Sequence, residues 1–350
     1  MRKFFTKMIA ATLAAVSVVG FAACGEKKDP TGNETQSTKV TLAPIADPST
    51  ISPALGYDYY LAAEPLASLK VKMTANSQTP LHVVGDLQKL YGGENGYPQA
   101  VLVAKNSFVE ANGAWVAEFI GDMDEAADWL TAETTEISTI VSAVAANLTE
   151  GLTPSLKEAN LTKNVIQNSG VYFTDATAGK TEVNAFLNEL IGVSSSAAKT
   201  VADKFFYDGS STTTSSSVQA NIYMPDGAPA LSMAKFMSEN RAGCNFNVVD
   251  AQTISSFVTG ESPIADLCVL PLNAASKLLG TGEKYTMLGT VTHGNLYLLS
   301  TNADAKIEKA EDWKKLDGKT VGTIQINNVP GLTLKLLLKK NGVEYTQPQV

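Results

Sequence analysis

Residues 319–342 read KTVGTIQINNVPGLTLKLLLKKNG. Thr320, Val321, Thr323 and Ile324 are β-branched, so Lys319–Ile324 reads as a strand. Gln325-Ile326-Asn327-Asn328-Val329-Pro330 is an amide-rich turn with a proline suited to a helix's first turn. Gly331 to Lys340 then reads as a helix stopped by Asn341-Gly342, and its Leu332–Leu338 face reads as core. The same unit occurs earlier. Asn221–Met224 is a strand, Pro225-Asp226-Gly227-Ala228-Pro229 a turn, and Ala230–Met237 a helix. Gly227 permits an unusual backbone angle there. The small residues of both turns leave a helix N-terminus uncovered, a place for an anion or polar ligand.

Outward from these units, strands and helices alternate. Leu81–Val84, Ala100–Val103, Asp266–Leu270 and Leu296–Ser300 are further strands. Ser107–Ile120, Asp122–Leu148, Thr181–Ile191 and Ser196–Phe206 carry helical spacing. This alternation predicts an α/β architecture with mostly parallel sheets, whose ligands sit beyond the carboxyl ends of strands. At about 150 residues per domain, 350 residues allow two domains with real cores. The chain has 27 basic and 35 acidic residues, net −8, and its only arginines are Arg2 and Arg241. That charge excludes a nucleic-acid binder, which needs a concentrated basic face.

Residues 1–23 carry Arg2, Lys3 and Lys7 and then an uncharged, mostly apolar run, the pattern of a signal peptide. Gly20-Phe21-Ala22-Ala23-Cys24 resembles a bacterial lipobox, which makes Cys24 the lipidated first residue of the mature chain. Losing residues 1–23 removes those three positive charges and no acid, which takes the net charge from −8 to −11. Polar residues 24–40 read as a flexible tether from the bacterial cell membrane to an extracytoplasmic domain. Cys244 and Cys268 remain, either as a disulfide or as free buried thiols. With only His82 and His293, no metal site is expected, and no cofactor. The Ser/Thr-rich stretch 209–218 reads as a flexible joint.

NIYMPDGAPALSMAKFM, ADLCVLPLNAASKLL, YTMLGTVTHGNLYLL and DWKKLDGKTVGTIQINNVPGLTLKLLLKKNGV resemble the substrate-binding proteins of ABC importers. The branch is the NMT1/THI5-like group of nitrate, sulfonate, taurine and bicarbonate binders. YDYYLAAEPLASLKVKM and HVVGDLQKLYGGENGYPQAVLVAKNSFVEAN resemble that group's second-lobe segments. The resemblance covers roughly residues 41–208 and 219–350 and implies a two-lobed, type II periplasmic-binding-protein-like fold. The order of segments is exchanged relative to the family, so a circular permutation is expected, with a recombined or truncated gene product as the alternative. One lobe is then residues 107–301, containing the joint. The other is 41–106 plus 302–350, closed around unlinked ends at Thr41 and Val350 and expected to fray first.

By resemblance the cleft is lined from the first lobe by Asp226, Gly227, Ala228 and Pro229, by Leu272 and Asn273, and by Thr292, His293, Gly294 and Asn295. From the second lobe it takes Gln325, Asn327 and Val329 with Asp47, Ser49 and Glu64. Neutral Asn, Gln, Thr and Ser orient a small polar molecule at little desolvation cost. Several of these have other readings. Asp226 and Asn273 equally suit helix caps, and His293 suits a surface turn. Glu64 before Pro65 reads first as a helix-start acid. His82 reads as structural, and Tyr97-Pro98 as packing beside a hinge.

The resemblance implies a monomeric, lipid-anchored solute receptor that performs no chemistry and docks on ABC permease subunits. Its ligand is a sulfonate, nitrate or bicarbonate, or a thiamine-precursor pyrimidine. The alternatives are an enzyme or a ligand sensor built on the same fold. No constellation of nucleophile, histidine and acid supports the enzyme.

Overall fold

A computed structural model describes residues 39–92, 96–215 and 217–348. The expected signal peptide, Cys24 and nearly all of the tether lie outside the described residues, as does Val350. The described chain opens with β1 (Val40–Ile45), β2 (Tyr59–Ala63), α1 (Leu66–Thr74), β3 (His82–Asp86) and α2 (Leu87–Tyr91). It continues through β4 (Pro98–Lys105), α3 (Asn106–Gly121), α4 (Met123–Thr131), α5 (Ile137–Ala145), α6 (Lys163–Asn168), β5 (Val171–Asp175) and α7 (Ala176–Val193). Then come β6 (Ala220–Pro225), α8 (Ala228–Leu231), α9 (Ala234–Ser238), β7 (Cys244–Val249), β8 (Leu267–Pro271), α10 (Leu272–Leu279) and β9 (Tyr285–His293). β10 (Leu296–Ser300), β11 (Thr320–Ile324), α11 (Val329–Lys340) and β12 (Tyr345–Thr346) complete it.

The fold is α/β, with two six-stranded sheets flanked by helices. The first sheet has the order β12-β1-β11-β2-β10-β3 and the second β5-β9-β4-β8-β6-β7. Both are mixed, not mostly parallel. β10 runs antiparallel to β2 and β3, and β4 runs antiparallel to β8 and β9. The reason is the path of the chain. It crosses between sheets twice, and each crossing strand enters its new sheet against the direction of its neighbours.

The crossings also shift the expected boundaries. β4 belongs to the second sheet, not with 41–106, and β10 belongs to the first, not with 107–301. The second crossing is only Gly294-Asn295, which reads as an ordinary turn between two strands, so nothing local tells that those strands enter different sheets.

Three expected helices differ as well. The 122–148 stretch is two helices, because Lys163 Nζ donates to the carbonyls of Leu130, Ala132 and Thr135 and holds the end of α4 open. Ser196–Phe206 is irregular, opening in a turn that closes with Ala197 N–H on the Ser194 carbonyl and holding a single 3-10 turn at Asp203–Phe205. Its backbone is drawn into tertiary bonds, Ala202 N–H to the Gly280 carbonyl at 2.8 Å and Tyr207 N–H to the Met287 carbonyl at 2.9 Å. The 230–237 helix is split into α8 and α9, where Ser232 Oγ turns back to donate to the Pro229 carbonyl.

One core joins the first sheet to one face of the second through α7 and α11. Another lies under α3, α4, α5 and α9 on the second sheet's opposite face. In the shared core the Phe186 ring stacks on Tyr97 at 5.3 Å, and Tyr91 meets it edge-on. Burial of a side chain the size of Phe186 contributes roughly 1.5–3 kcal/mol. Lys340 of α11 adds an ion pair to Glu189 of α7 at 2.7 Å.

The two ends of the first sheet's chain lie side by side. β12 pairs with the start of β1, Val40 N–H donates to the Glu344 carbonyl, and Lys39 pairs with Glu344. The expected free joint is partly docked. Helix α3 is kinked at Asn112, which releases Ala114 N–H to the Thr213 carbonyl, and Ser211 Oγ donates to the Val109 carbonyl. Cys244 and Cys268 are free thiols.

Candidate functional site

The strand registers place the candidate residues on two sheet edges. In the first sheet β1, β11 and β2 are parallel neighbours, with Ile45 opposite Ile324 and Thr323 opposite Leu61. Their carboxyl ends therefore lie on one edge, followed by Asp47, Gln325 and Glu64. β10 begins there, with Leu296 opposite Ala63, and β3 ends there, with Asp86 opposite Tyr297. In the second sheet β6 and β8 are parallel, so Asp226 and Leu272 follow them onto one edge. β4 starts at that edge, where Pro98 faces His293, and Val171 faces Thr292 beside them.

The two edges meet at Gly294-Asn295. Gly294 N–H donates to the Tyr97 carbonyl at 2.9 Å on the second sheet's edge. Glu64 N–H donates to the Asn295 carbonyl at 2.9 Å on the first sheet's edge. Between the crossing segments, Gln88 Oε1 accepts the Leu296 N–H at 2.7 Å, and Gln88 Nε2 donates to Asp86. A third tie lies elsewhere, where Lys72 of α1 donates to the Ala159 carbonyl.

Each candidate has its place. Thr292, His293, Gly294, Asn295 and Glu64 are brought together and buried at the meeting point. Gln325, Asn327, Asp47 and Ser49 are exposed along the first edge. Asp226 and Pro229 are half-buried, and Gly227 and Ala228 buried, at the far end of the second edge. β6 stands three strands from β9 in the sheet order, about 14 Å at strand spacing. Leu272 and Val329 are core side chains with no exposure, not lining residues.

The alternative readings of these residues now separate. Asp47 caps the 3-10 turn Pro48–Thr50 by accepting from Ser49 N–H and Oγ–H, and these bonds hold its carboxyl below the ordinary range. Glu64 accepts from Ser68 N–H and Oγ–H in the first turn of α1, while burial raises its carboxyl. Asp226 is not a helix cap; it accepts from Ser155 N–H across a loop and from Gly227 N–H. Asn273 lies inside α10, not at its cap, and its Nδ2 donates to the Ala197 carbonyl. His293 is no surface residue. It is 1% exposed, its ring stacks on Tyr172 at 3.7 Å, and Nε2 meets Thr174 Oγ1 at 3.3 Å. Burial pushes its imidazole down to about 3, so it is neutral at ordinary pH.

Neither expected helix start is open in the way the turns imply. α8 is a single turn, too short for a useful dipole. The turn before α11 folds against that helix: a Cβ at Gly331 would collide with the Ile326 main chain. Lys335, 5% exposed, reaches back from inside α11 to donate to the Ile326 carbonyl at 2.8 Å, with Asn327 Oδ1 at 3.4 Å. Burial lowers its ammonium pKa. Gln325 is held at φ 42°, a left-handed conformation unusual for a residue with a side chain.

Sequence reasoning passed over Gln88, Tyr172 and Lys335. For Lys335 a signal existed: one lysine set between leucines in an otherwise apolar helical run. Gln88 and Tyr172 carry none, because only the crossing of the chain brings them to the junction. Two open surface depressions, of about 380 and 320 Å³, lie against the 199–208 segment and not at this junction. Comparison with family models, curated proteins and solved structures finds no match for this chain.

Proposed function

We propose that this protein is a lipid-anchored extracytoplasmic solute receptor of an ABC importer. It takes a small polar solute between two lobes and hands it to a permease. The reading joins the leader and its resemblance to a lipobox to one structural observation. That observation is the meeting of both sheets' strand-end edges at Gly294-Asn295, with polar side chains from each edge gathered there. In open α/β sheets such edges are where ligands bind, and two of them joined by short crossings make a clamp. The lobes carry no chemistry: they bind, enclose and release. On this reading the fold is of the type II periplasmic-binding-protein kind with a permuted chain order. The adjacency of β1 and β12 supports the permutation, because it puts the exchanged ends within linking reach.

The test is a thermal-shift screen of the mature chain against sulfonates, nitrate, bicarbonate, polyols, amides and pyrimidines. A solute of the receptor stabilises the fold by mass action, by about 2.7 kcal/mol at a hundred times its Kd, and so raises Tm. A screen with no shift, or turnover of any compound into product, contradicts the reading.

A further inference from the structure

The Ser/Thr-rich joint carries more hydroxyl groups than a connection needs. Residues 210–217 are eight consecutive serines and threonines, with no charged or apolar side chain between Gly209 and Val218. A connection that only has to bend is met by Gly and Ser. Thr212-Thr213-Thr214 instead sets three β-branched residues, stiff at χ1, in a row. What the eight positions share is the hydroxyl, not flexibility. The fold sorts these hydroxyls. Ser211 is half-buried, and its Oγ donates to the Val109 carbonyl at 3.0 Å. Its main chain lies so close to α3 that a Cβ on Gly113 would collide with it. The Thr213 carbonyl accepts the Ala114 N–H at 3.0 Å. These anchors hold the segment on α3 while Thr212, Thr213, Thr214 and Ser215 stand exposed. The three threonine hydroxyls make no hydrogen bond among the described residues, and Ser215 Oγ reaches only the Ser217 carbonyl, inside the joint. An exposed loop of small polar residues is also where proteases nick a chain, so a cover over it protects the fold.

We propose that the joint is an O-glycosylation site, with Thr212, Thr213, Thr214 and Ser215 as acceptors and the docked Ser211 excluded. Exposed Ser/Thr-rich stretches of exported proteins are the composition that carries O-linked sugar. The inference rests on the export that the receptor reading contains. Export also sets the donor class: a polyprenyl-phosphate-linked sugar, which needs no cytosolic nucleotide. The acceptor oxygen attacks the anomeric carbon, the bond from that carbon to the phosphate oxygen breaks, and polyprenyl phosphate leaves with the bonding pair. The hydroxyl proton passes to a base of the transferase, and nothing is oxidised or reduced. The test is peptide mass spectrometry on the full protein isolated from membranes of the cells that make it. Trypsin releases the joint inside the peptide Phe205–Lys235. The expected result is that this peptide gains whole hexose or N-acetylhexosamine units, mapped to residues 212–215 and absent from Ser211. A variant carrying Thr212→Ala, Thr213→Ala, Thr214→Ala and Ser215→Ala is expected to lose the units at those positions. An unmodified peptide, a phosphorylated one, or sugar confined to Ser211 overturns the proposal. The N-terminal peptide of the same digest reports on export separately. A processed, lipidated Cys24 beside a bare joint overturns only this inference, whereas an intact leader removes the export reading and the inference with it.

Discussion

Gln88 Oε1 accepts the backbone N–H of Leu296 at 2.7 Å, although the two residues stand 208 positions apart in the chain. The bond joins the end of β3 and α2 to the first residue of β10, beside the short passage from one sheet to the other. A Gln88→Leu variant leaves that N–H unpaired at a partly buried site and is expected to cost about 1–3 kcal/mol. Gln88→Met keeps the side chain's bulk without an amide oxygen and is expected to lose about as much. Urea unfolding of both variants checks this; a Gln88→Met protein as stable as the parent would show that side-chain bulk matters rather than the bond.

Gly170 has φ 62°, and a Cβ there would collide with the His293 carbonyl oxygen. That carbonyl lies where β5 joins β9, and the His293 N–H donates back to the Gly170 carbonyl at 2.8 Å. Gly170→Ala therefore meets both backbone strain and a steric clash with main chain. The expected loss is about 3 kcal/mol or more, at the upper end for point changes. A loss within 1 kcal/mol, measured by denaturant unfolding, would contradict this placement of the edge.

Burial holds the His293 imidazole near 3, against an ordinary value of 6.5. The folded protein thus keeps the ring neutral, while the unfolded chain takes up a proton below pH 6.5. Between pH 6.5 and about 3 the unfolded state binds more protons, so stability falls as pH falls through that window. At pH 5 the expected cost from this group is about 2 kcal/mol relative to pH 7. A His293→Gln variant should lack that loss. The opposite contribution of Glu64, whose carboxyl is raised by burial, is common to both proteins and cancels in the comparison. Unfolding of the two proteins at pH 7 and pH 5 supplies the difference; parallel losses would mean His293 is accessible to protons in the folded state.

The architecture was legible where side-chain pattern and local structure agree. The strands at 221–224, 296–300 and 320–324 fall within observed strands, 266–270 is displaced by one residue from β8, and the helix at 331–340 ends where Asn341-Gly342 stops it. What failed depends on distant partners. Lys163 ends α4 from 31 to 33 residues away, and Gly280 and Met287 pull 196–206 out of its helical pattern. The passage between sheets at Gly294-Asn295 reads as an ordinary turn, and nothing local shows that the strands on either side enter different sheets, so the division of the chain was misplaced. The candidate site divides in the same way. The residues after each strand were readable because strand ends are predictable. Their burial was not, and so Leu272 and Val329 were placed in the cleft when they belong to the core.

The central claim is that the two edges meeting at Gly294-Asn295 close on a solute. The most direct test is the distance between spin labels on the two sides, at Met73 beside the first sheet and Ile264 beside the second, both exposed. Pulsed electron paramagnetic resonance is recorded on the mature chain with and without the compound that gives the largest thermal shift. A narrower distribution at shorter distance on addition of that compound is the predicted result. A distribution unchanged at saturating compound would contradict closure of the two halves around a ligand.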